Sequence, residues 1–190
     1  VALTNPRKGL YVADFGRRLT GVVRLNRMSC KEGTRVILRH AEIMQHAGLP
    51  DVKTADPAMI YVGELRGARA TDVYTCSGRA GGETWQPSLT YHGFRFVEIN
   101  VTNSGVRPAA AMLTALHFHS GVALRTHAHF NSTTLNRMQH LAVSAQQSNL
   151  QTIPTDCDQR DERLGWMGDA SLSSEAMALN FELAPALAWW

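Results

Sequence analysis

The octapeptide FRFVEINV, residues 94–101, decides the fold class. In an extended chain Phe94, Phe96, Glu98 and Asn100 share one face while Arg95, Val97 and Ile99 share the other, the two-residue period of a strand. Outward from it, residues 10–14, 21–25, 34–42 and 71–76 are rich in Val, Ile, Tyr, Phe and Thr and are bounded by Gly, Pro, Asp or Asn. Short strands at such spacing, with no helical period between them, predict an antiparallel β-sandwich of jelly-roll type. Residues 45–63 and the Gly-rich turn 78–82 are its expected connections.

After about Asn131 the period changes. Ser132 or Thr133 can cap a helix in which Leu135, Met138, Leu141, Ala142 and Ala145 recur at helical spacing before Asn149 ends it. A second helix is expected to begin at residues 171–174, where serines followed by Glu175 resemble a capping box, and to run through Met177, Leu179, Phe181 and Leu183. Pro185 would kink or end that helix, leaving Trp189 and Trp190 at the terminus. The chain is therefore α+β, with a sandwich over residues 1–124 and helices over residues 125–190. Two helices alone cannot bury their apolar faces, so they either dock on the sandwich or belong to a longer helical domain.

Composition narrows the class of function. The 190 residues are 44% hydrophobic and 18% charged, with a formal net charge of +3, which is the balance of a globular chain. Arginines are scattered from Arg7 to Arg163 and form no basic block, so nucleic acid is not an expected partner. Apolar runs such as 109–118 are too short to cross a bilayer, so no membrane partner is expected. Cys30, Cys76 and Cys157 cannot all pair and match no zinc spacing, which points to a reducing, cytoplasmic compartment, although a chain that does not begin with Met says little about secretion.

Residues 151–170 read QTIPTDCDQRDERLGWMGDA and join the two expected helices. Asp156, Asp158, Asp161, Glu162 and Asp169 crowd around Arg160 and Arg163, with Trp166 among them. An EF-hand starting at Asp156 is excluded, because the fifth, sixth and twelfth positions hold Arg160, Asp161 and Met167. A solvated loop of mutually paired charges is the plain alternative. Against it, Pro154, Gly165 and Gly168 constrain the path, and an indole in a loop needs something to cover. Crowded carboxylates, an arginine fork and an indole suit a sugar-cleaving site, in which repulsion between acids can keep one of them protonated.

The string IPTDCDQRDERLGWMGDA, residues 153–170, resembles the signature of bacterial-type alpha-L-rhamnosidases, glycoside hydrolase family 78, where the run is usually TDCPQRDERLGWTGDA. DFGRRLTGVVRL (14–25), ELRGARATDVYTCSG (64–78) and LTYHGFRFVEI (89–99) resemble the sandwich domain that precedes the catalytic barrel of that family. The resemblance implies inverting hydrolysis of terminal alpha-L-rhamnosyl residues, with a rhamnose-containing glycoside as substrate and no cofactor or metal. It makes Glu162 the general acid, gives Asp156, Arg160 and Asp169 the sugar's hydroxyls, and sets Trp166 against the sugar. Asp158 replaces the usual Pro and Met167 the usual Thr. The family's general base is a glutamate late in an (α/α)6 barrel, so this chain is expected to carry the acid without the base.

Other features fit blander readings. His117, His119, His127 and His129 form two HxH pairs that could bind a metal, but no Asp or Cys ligand sits at comparable spacing. Tyr91, His92, Phe94 and Phe96 could stack on sugar, yet alternating aromatics on a strand usually fill a core. Cys157 has no base placed for it and sits among acids that disfavour its thiolate, so it is read as structural or incidental. Self-association could cover exposed helix faces to form a homo-oligomer, though nothing in the spacing requires it. The rival function is a noncatalytic carbohydrate-binding or structural sandwich padded by helices.

Overall fold

A computed structural model describes residues 1–102 and 106–190. The chain divides into two compact units, one comprising residues 1–117 with 159–161 and the other residues 118–158 with 162–190.

The first unit is an antiparallel β-sandwich. Its strands are β1 (Ala2–Arg7), β2 (Leu10–Met28), β3 (Arg35–Ala41), β4 (Ile43–Met44), β5 (Ile60–Tyr61), β6 (Thr71–Thr75), β7 (Glu83–Trp85), β8 (His92–Val101) and β9 (Leu113–His117). Seven strands hydrogen-bond in the order β1-β2-β8-β3-β6, with β7 and β9 also pairing to β2, while β4 and β5 form a short separate ladder. β2 accounts for much of this architecture. It pairs with β1 and β8 along its first half, with β9 over Gly21 to Leu25, and with β7 at its end.

Two strands read separately from the sequence, residues 10–14 and 21–25, are therefore one. The residues between them, Phe15 to Arg18, form a bulge: Asp14 pairs with Phe96 and Leu19 with Phe94, so β2 advances five positions while β8 advances two. Gly16 sits at φ 79° and its N–H donates to Asp14 Oδ1 at 2.7 Å. This is a turn-like conformation used inside a strand. Arg95 locks it with a forked pair of bonds to Asp14, both 2.9 Å.

Opposite this bulge the side-chain alternation of β8 is broken. Val97, Ile99 and Val101 share the main core, but Phe94 enters the same core, with Ala13, Leu19, Leu38 and Leu113, while Phe96 packs in a separate cluster with Val12, Ala41 and Ile60. Phe94 and Phe96 thus do not share a face. Phe94 is fully buried, worth about 1.5–3 kcal/mol of hydrophobic stabilisation, which supports the core reading over a stacking strip. Cys30 and Cys76 form a disulfide across 46 residues beside this core.

The second unit contains α1 (Thr133–Ser148), a small hairpin of β10 (Leu150–Gln151) and β11 (Ile153–Pro154), α2 (Met167–Asn180) and α3 (Ala184–Trp189). Ser132 caps α1 by accepting from Leu135 N–H, and Asn149 ends it. α2 begins at Met167, earlier than the expected residues 171–174. Ser171, Ser173 and Ser174 donate to carbonyls of the preceding turn, Ser171 to Gly168 and Ser173 to Asp169. They are serines inside a helix and not its cap.

α2 also ends sooner than its apolar pattern suggested. Phe181 turns extended and bridges to Leu124, and Phe181 and Leu183 are buried with Leu150 and Met177. Pro185 lies in the first turn of α3, where its missing N–H costs nothing, and so starts a helix instead of ending one. The apolar stripe of α1 is not a buried face: Leu135, Met138 and Leu141 are 46%, 60% and 66% exposed. Among the described residues, no helix is long and apolar enough to cross a membrane.

Candidate functional site

The acidic segment follows the β10–β11 hairpin, whose tip, Thr152, takes φ 73°. That conformation is costly for a β-branched residue and is held by Ser120, whose Oγ accepts from Thr152 N–H at 2.8 Å and whose own N–H donates to Leu150 O. Thr155 then ties back to the end of α1, its N–H and hydroxyl both donating to Asn149 O.

From there the chain makes a closed loop. Asp156 N–H donates to Leu164 O at 3.1 Å, and Leu164 N–H donates to Asp156 Oδ1 at 2.8 Å. One residue thus clasps both ends of the 157–163 segment. Inside the clasp Arg163 adopts φ 54°, with its N–H towards Cys157 Sγ at 3.5 Å. A non-glycine residue in this region costs roughly 1–2 kcal/mol and persists where surrounding bonds impose it. Asp158, standing where a proline is usual, is fully buried. Gly165 permits a close approach: a Cβ there would lie 3.0 Å from Ile153 Cδ1 and 3.1 Å from Trp190 Nε1. Gly168 has open space around it.

Beyond the clasp, Trp166 stands at the start of α2 and donates its indole N–H to Glu162 Oε1 at 3.2 Å. Asp169 lies in the first turn of α2, where the helix N-terminus favours a negative charge. Asp156, Trp166 and Asp169 line one cavity of about 250 Å³, together with Gln146, Asn149 and Ser173 among others, slightly below the ~300 Å³ at which ligand pockets usually begin. Glu162 is not in that lining but is bound to Trp166. Ligand-type atoms of Asp156, Cys157 and Glu162 also lie within 4.8 Å of one another, so this corner could hold a cation. Arg160 falls in the segment 159–161 that clusters with the sandwich unit, where its neighbour Asp161 accepts from Gly67 N–H at 3.2 Å; it is not among the cavity's lining residues.

Sequence reasoning missed the polar lining from the helices. Asn180 donates to Gln146 Oε1 at 2.7 Å and accepts from Gln139 Nε2 at 2.8 Å, tying α1 to α2. These residues read as ordinary polar positions of an amphipathic helix and carry no local signal. The HxH histidines belong to none of the candidate metal-binding groups found among the described residues.

Comparison with known proteins gives two family matches. The bacterial alpha-L-rhamnosidase concanavalin-like domain matches residues 4–119, and the bacterial alpha-L-rhamnosidase 6 hairpin glycosidase domain matches residues 127–190. An alpha-L-rhamnosidase of Streptomyces avermitilis is 37% identical over 188 residues, covering 99% of this chain and 17% of that protein. One from an Alteromonas species is 34% identical, covering 86% of this chain and 16% of that protein. Among solved structures, the alpha-L-rhamnosidase from Dictyoglumus thermophilum superimposes with a TM-score of 0.89 at 34% identity, over 100% of this chain and 20% of that one. The Streptomyces avermitilis enzyme complexed with L-rhamnose superimposes with a TM-score of 0.87, over 99% of this chain and 17% of that one. The chain therefore spans about a fifth or less of the length of these relatives.

Proposed function

Because the chain belongs to the bacterial alpha-L-rhamnosidase family, we propose that it supplies the acid-bearing part of a site that hydrolyses terminal alpha-L-rhamnosyl residues. The observation that carries this reading is the convergence of Asp156, Trp166 and Asp169 on one cavity, with Glu162 bonded to the Trp166 indole. In this proposal Glu162 protonates the glycosidic oxygen as the aglycone leaves. Asp156 and Asp169 accept hydroxyl protons of the sugar, Arg160 donates to its oxygens, and Trp166 covers its apolar face. No cofactor is needed for that chemistry. Residues 1–124 serve as the sandwich domain and residues 125–190 as part of a helical catalytic domain.

Inversion requires a second carboxylate that activates water, about 6.5–9.5 Å from the acid. In this proposal Asp156, an oxygen of which lies within 4.8 Å of one of Glu162, holds the sugar and does not act as the base, and the chain alone binds rhamnose without turning over glycosides. A disulfide such as Cys30–Cys76 persists in oxidising surroundings, which favours an extracytoplasmic compartment over the reducing one suggested by the odd cysteine count.

The test is to incubate the purified chain with an aryl alpha-L-rhamnoside and, separately, to titrate it with L-rhamnose by saturation-transfer NMR. Binding without turnover, with binding reduced in Asp169→Ala, is expected. Robust turnover that disappears in Glu162→Gln would overturn the view that this chain lacks its base, and absence of rhamnose binding would count against the site.

A further inference from the structure

A second cluster of chemistry-bearing side chains lies inside the sandwich, apart from the acidic segment. His40 on β3, Asp72 on β6 and His92 at the start of β8 are buried, with relative exposures of 0%, 9% and 6%. One ligand-type atom from each lies within 4.8 Å of the other two. The two imidazoles stack with centroids 4.2 Å apart, and Phe94 packs edge-on to His40.

The hydrogen bonds fix the state of His40. Its Nδ1 is 3.1 Å from the carbonyl oxygen of Ala70, which can only accept, so Nδ1 carries the proton and Nε2 of the neutral ring bears a lone pair. Full burial of His40 favours the neutral ring. Nε2 is nevertheless wholly buried, has no hydrogen-bond partner among the described residues, and faces Asp72 Oδ2 at 3.8 Å. His92 Nε2, on the ring stacked against His40, lies 3.0 and 3.1 Å from the two Asp72 oxygens.

We infer that His40 Nε2, His92 Nε2 and the Asp72 carboxylate form a structural site for a divalent transition metal of the zinc class, joining strands β3, β6 and β8. Two nitrogen or oxygen ligands on a tetrahedral zinc stand roughly 3.4 Å apart, given bonds of about 2.0–2.2 Å. The observed separations of 3.0 and 3.8 Å lie on either side of that value. The carbonyl of Ala70 supplies the outer hydrogen bond that typically orients a metal-bound imidazole. Two imidazoles and one carboxylate favour zinc, cobalt or nickel over magnesium or calcium. On binding, the neutral His92 ring carries its proton on Nδ1 and gives the Nε2 electron pair to the metal.

Cobalt(II) is the probe. The chelator-treated full chain is expected to take up about one equivalent, with the visible absorption of a low-symmetry four- or five-coordinate ion, and zinc is expected to displace it. Zinc at about a hundredfold excess over its dissociation constant should raise the thermal midpoint by about 5 °C. His92→Gln should lose both effects while retaining its β-sheet circular dichroism. Should that variant not fold, nitrogen-15 NMR of the unmodified chain decides: zinc must shift the Nε2 signals of two histidines while one of them keeps its Nδ1 proton. The proposal is overturned if no metal is taken up, if uptake survives in folded His92→Gln, or if Cys157→Ser abolishes it, which would assign the metal to the Asp156, Cys157 and Glu162 corner.

Discussion

The indole N–H of Trp166 donates to the carboxylate of Glu162 at 3.2 Å. The tryptophan of the acidic segment therefore fixes the direction of a carboxylate four residues before it, in addition to presenting a face. Trp166 is 49% exposed, so both groups remain reachable from solvent.

Trp166→Phe keeps an aromatic face and deletes the donor. In a rhamnose titration of this chain the variant should bind about fivefold more weakly, the worth of one hydrogen bond of ~1 kcal/mol. Trp166→Ala should bind more weakly still. Equal affinity of Trp166→Phe and the parent chain would show that the indole N–H has no part in holding the site.

How much of this was legible in the sequence depended on how local each interaction is. That Val97 and Ile99 share a face was readable because strand parity is a property of adjacent residues. That Phe94 and Phe96 part company was not readable, because the break in alternation lies opposite a bulge of another strand that is locked by a bond between residues 81 apart. The 153–170 segment was readable because its chemistry is contiguous. Its clasp was not, since nothing in the sequence says that Asp156 spends one oxygen on Leu164 N–H. Gln146 and Asn149 reach the cavity only through the packing of α1, and the serines of α2 resembled a cap because the same hydroxyls bond equally well inside a helix. His40, Asp72 and His92 have no motif spacing at all, being assembled by strand pairing.

Glu83 anchors the turn after the disulfide. Its carboxylate accepts from the Tyr74 hydroxyl, from the Ser77 hydroxyl and N–H, and from the N–H groups of Gly78 and Arg79. These donors, Tyr74 first, hold its pKa down at about 2 against an ordinary 4.5, while burial and Glu83 push the Tyr74 phenol up to about 12. The stabilisation from Glu83 is complete above pH 4.5 and is lost as pH falls towards 2. Glu83→Gln should lower the thermal midpoint at pH 7 and lose less on acidification to pH 3 than the parent chain, as read by circular dichroism melts at both pH values.

The disulfide closes a loop of 46 residues between Cys30 and Cys76. Loop-closure entropy assigns such a link about 4 kcal/mol, so Cys30→Ser with Cys76→Ser should lower the thermal midpoint of the sandwich by about 10 °C. Dithiothreitol should reproduce the loss in the parent chain and leave the double variant unchanged. Mass spectrometry after alkylation should find one modified cysteine before reduction and three after it; three before reduction would show that the pair is open.

His40 gives the sandwich a second acid sensitivity, in a different window. Its folded pKa is depressed to about 3 from 6.5, chiefly by burial. Above pH 6.5 the ring is neutral in both folded and unfolded chains and contributes no pH dependence. Between pH 6.5 and 3 the unfolded chain takes up a proton that the folded chain excludes, so stability falls by a few kcal/mol across that interval. Glu83 begins to act only below 4.5, so the span from 6.5 to 4.5 separates the His40 contribution from that of Glu83. Urea unfolding followed at pH 7 and pH 5 should show a drop in the parent chain that is mostly abolished in His40→Gln, which fills similar space and does not titrate. An equal drop in both chains would transfer the sensitivity to other histidines and remove His40 from the account.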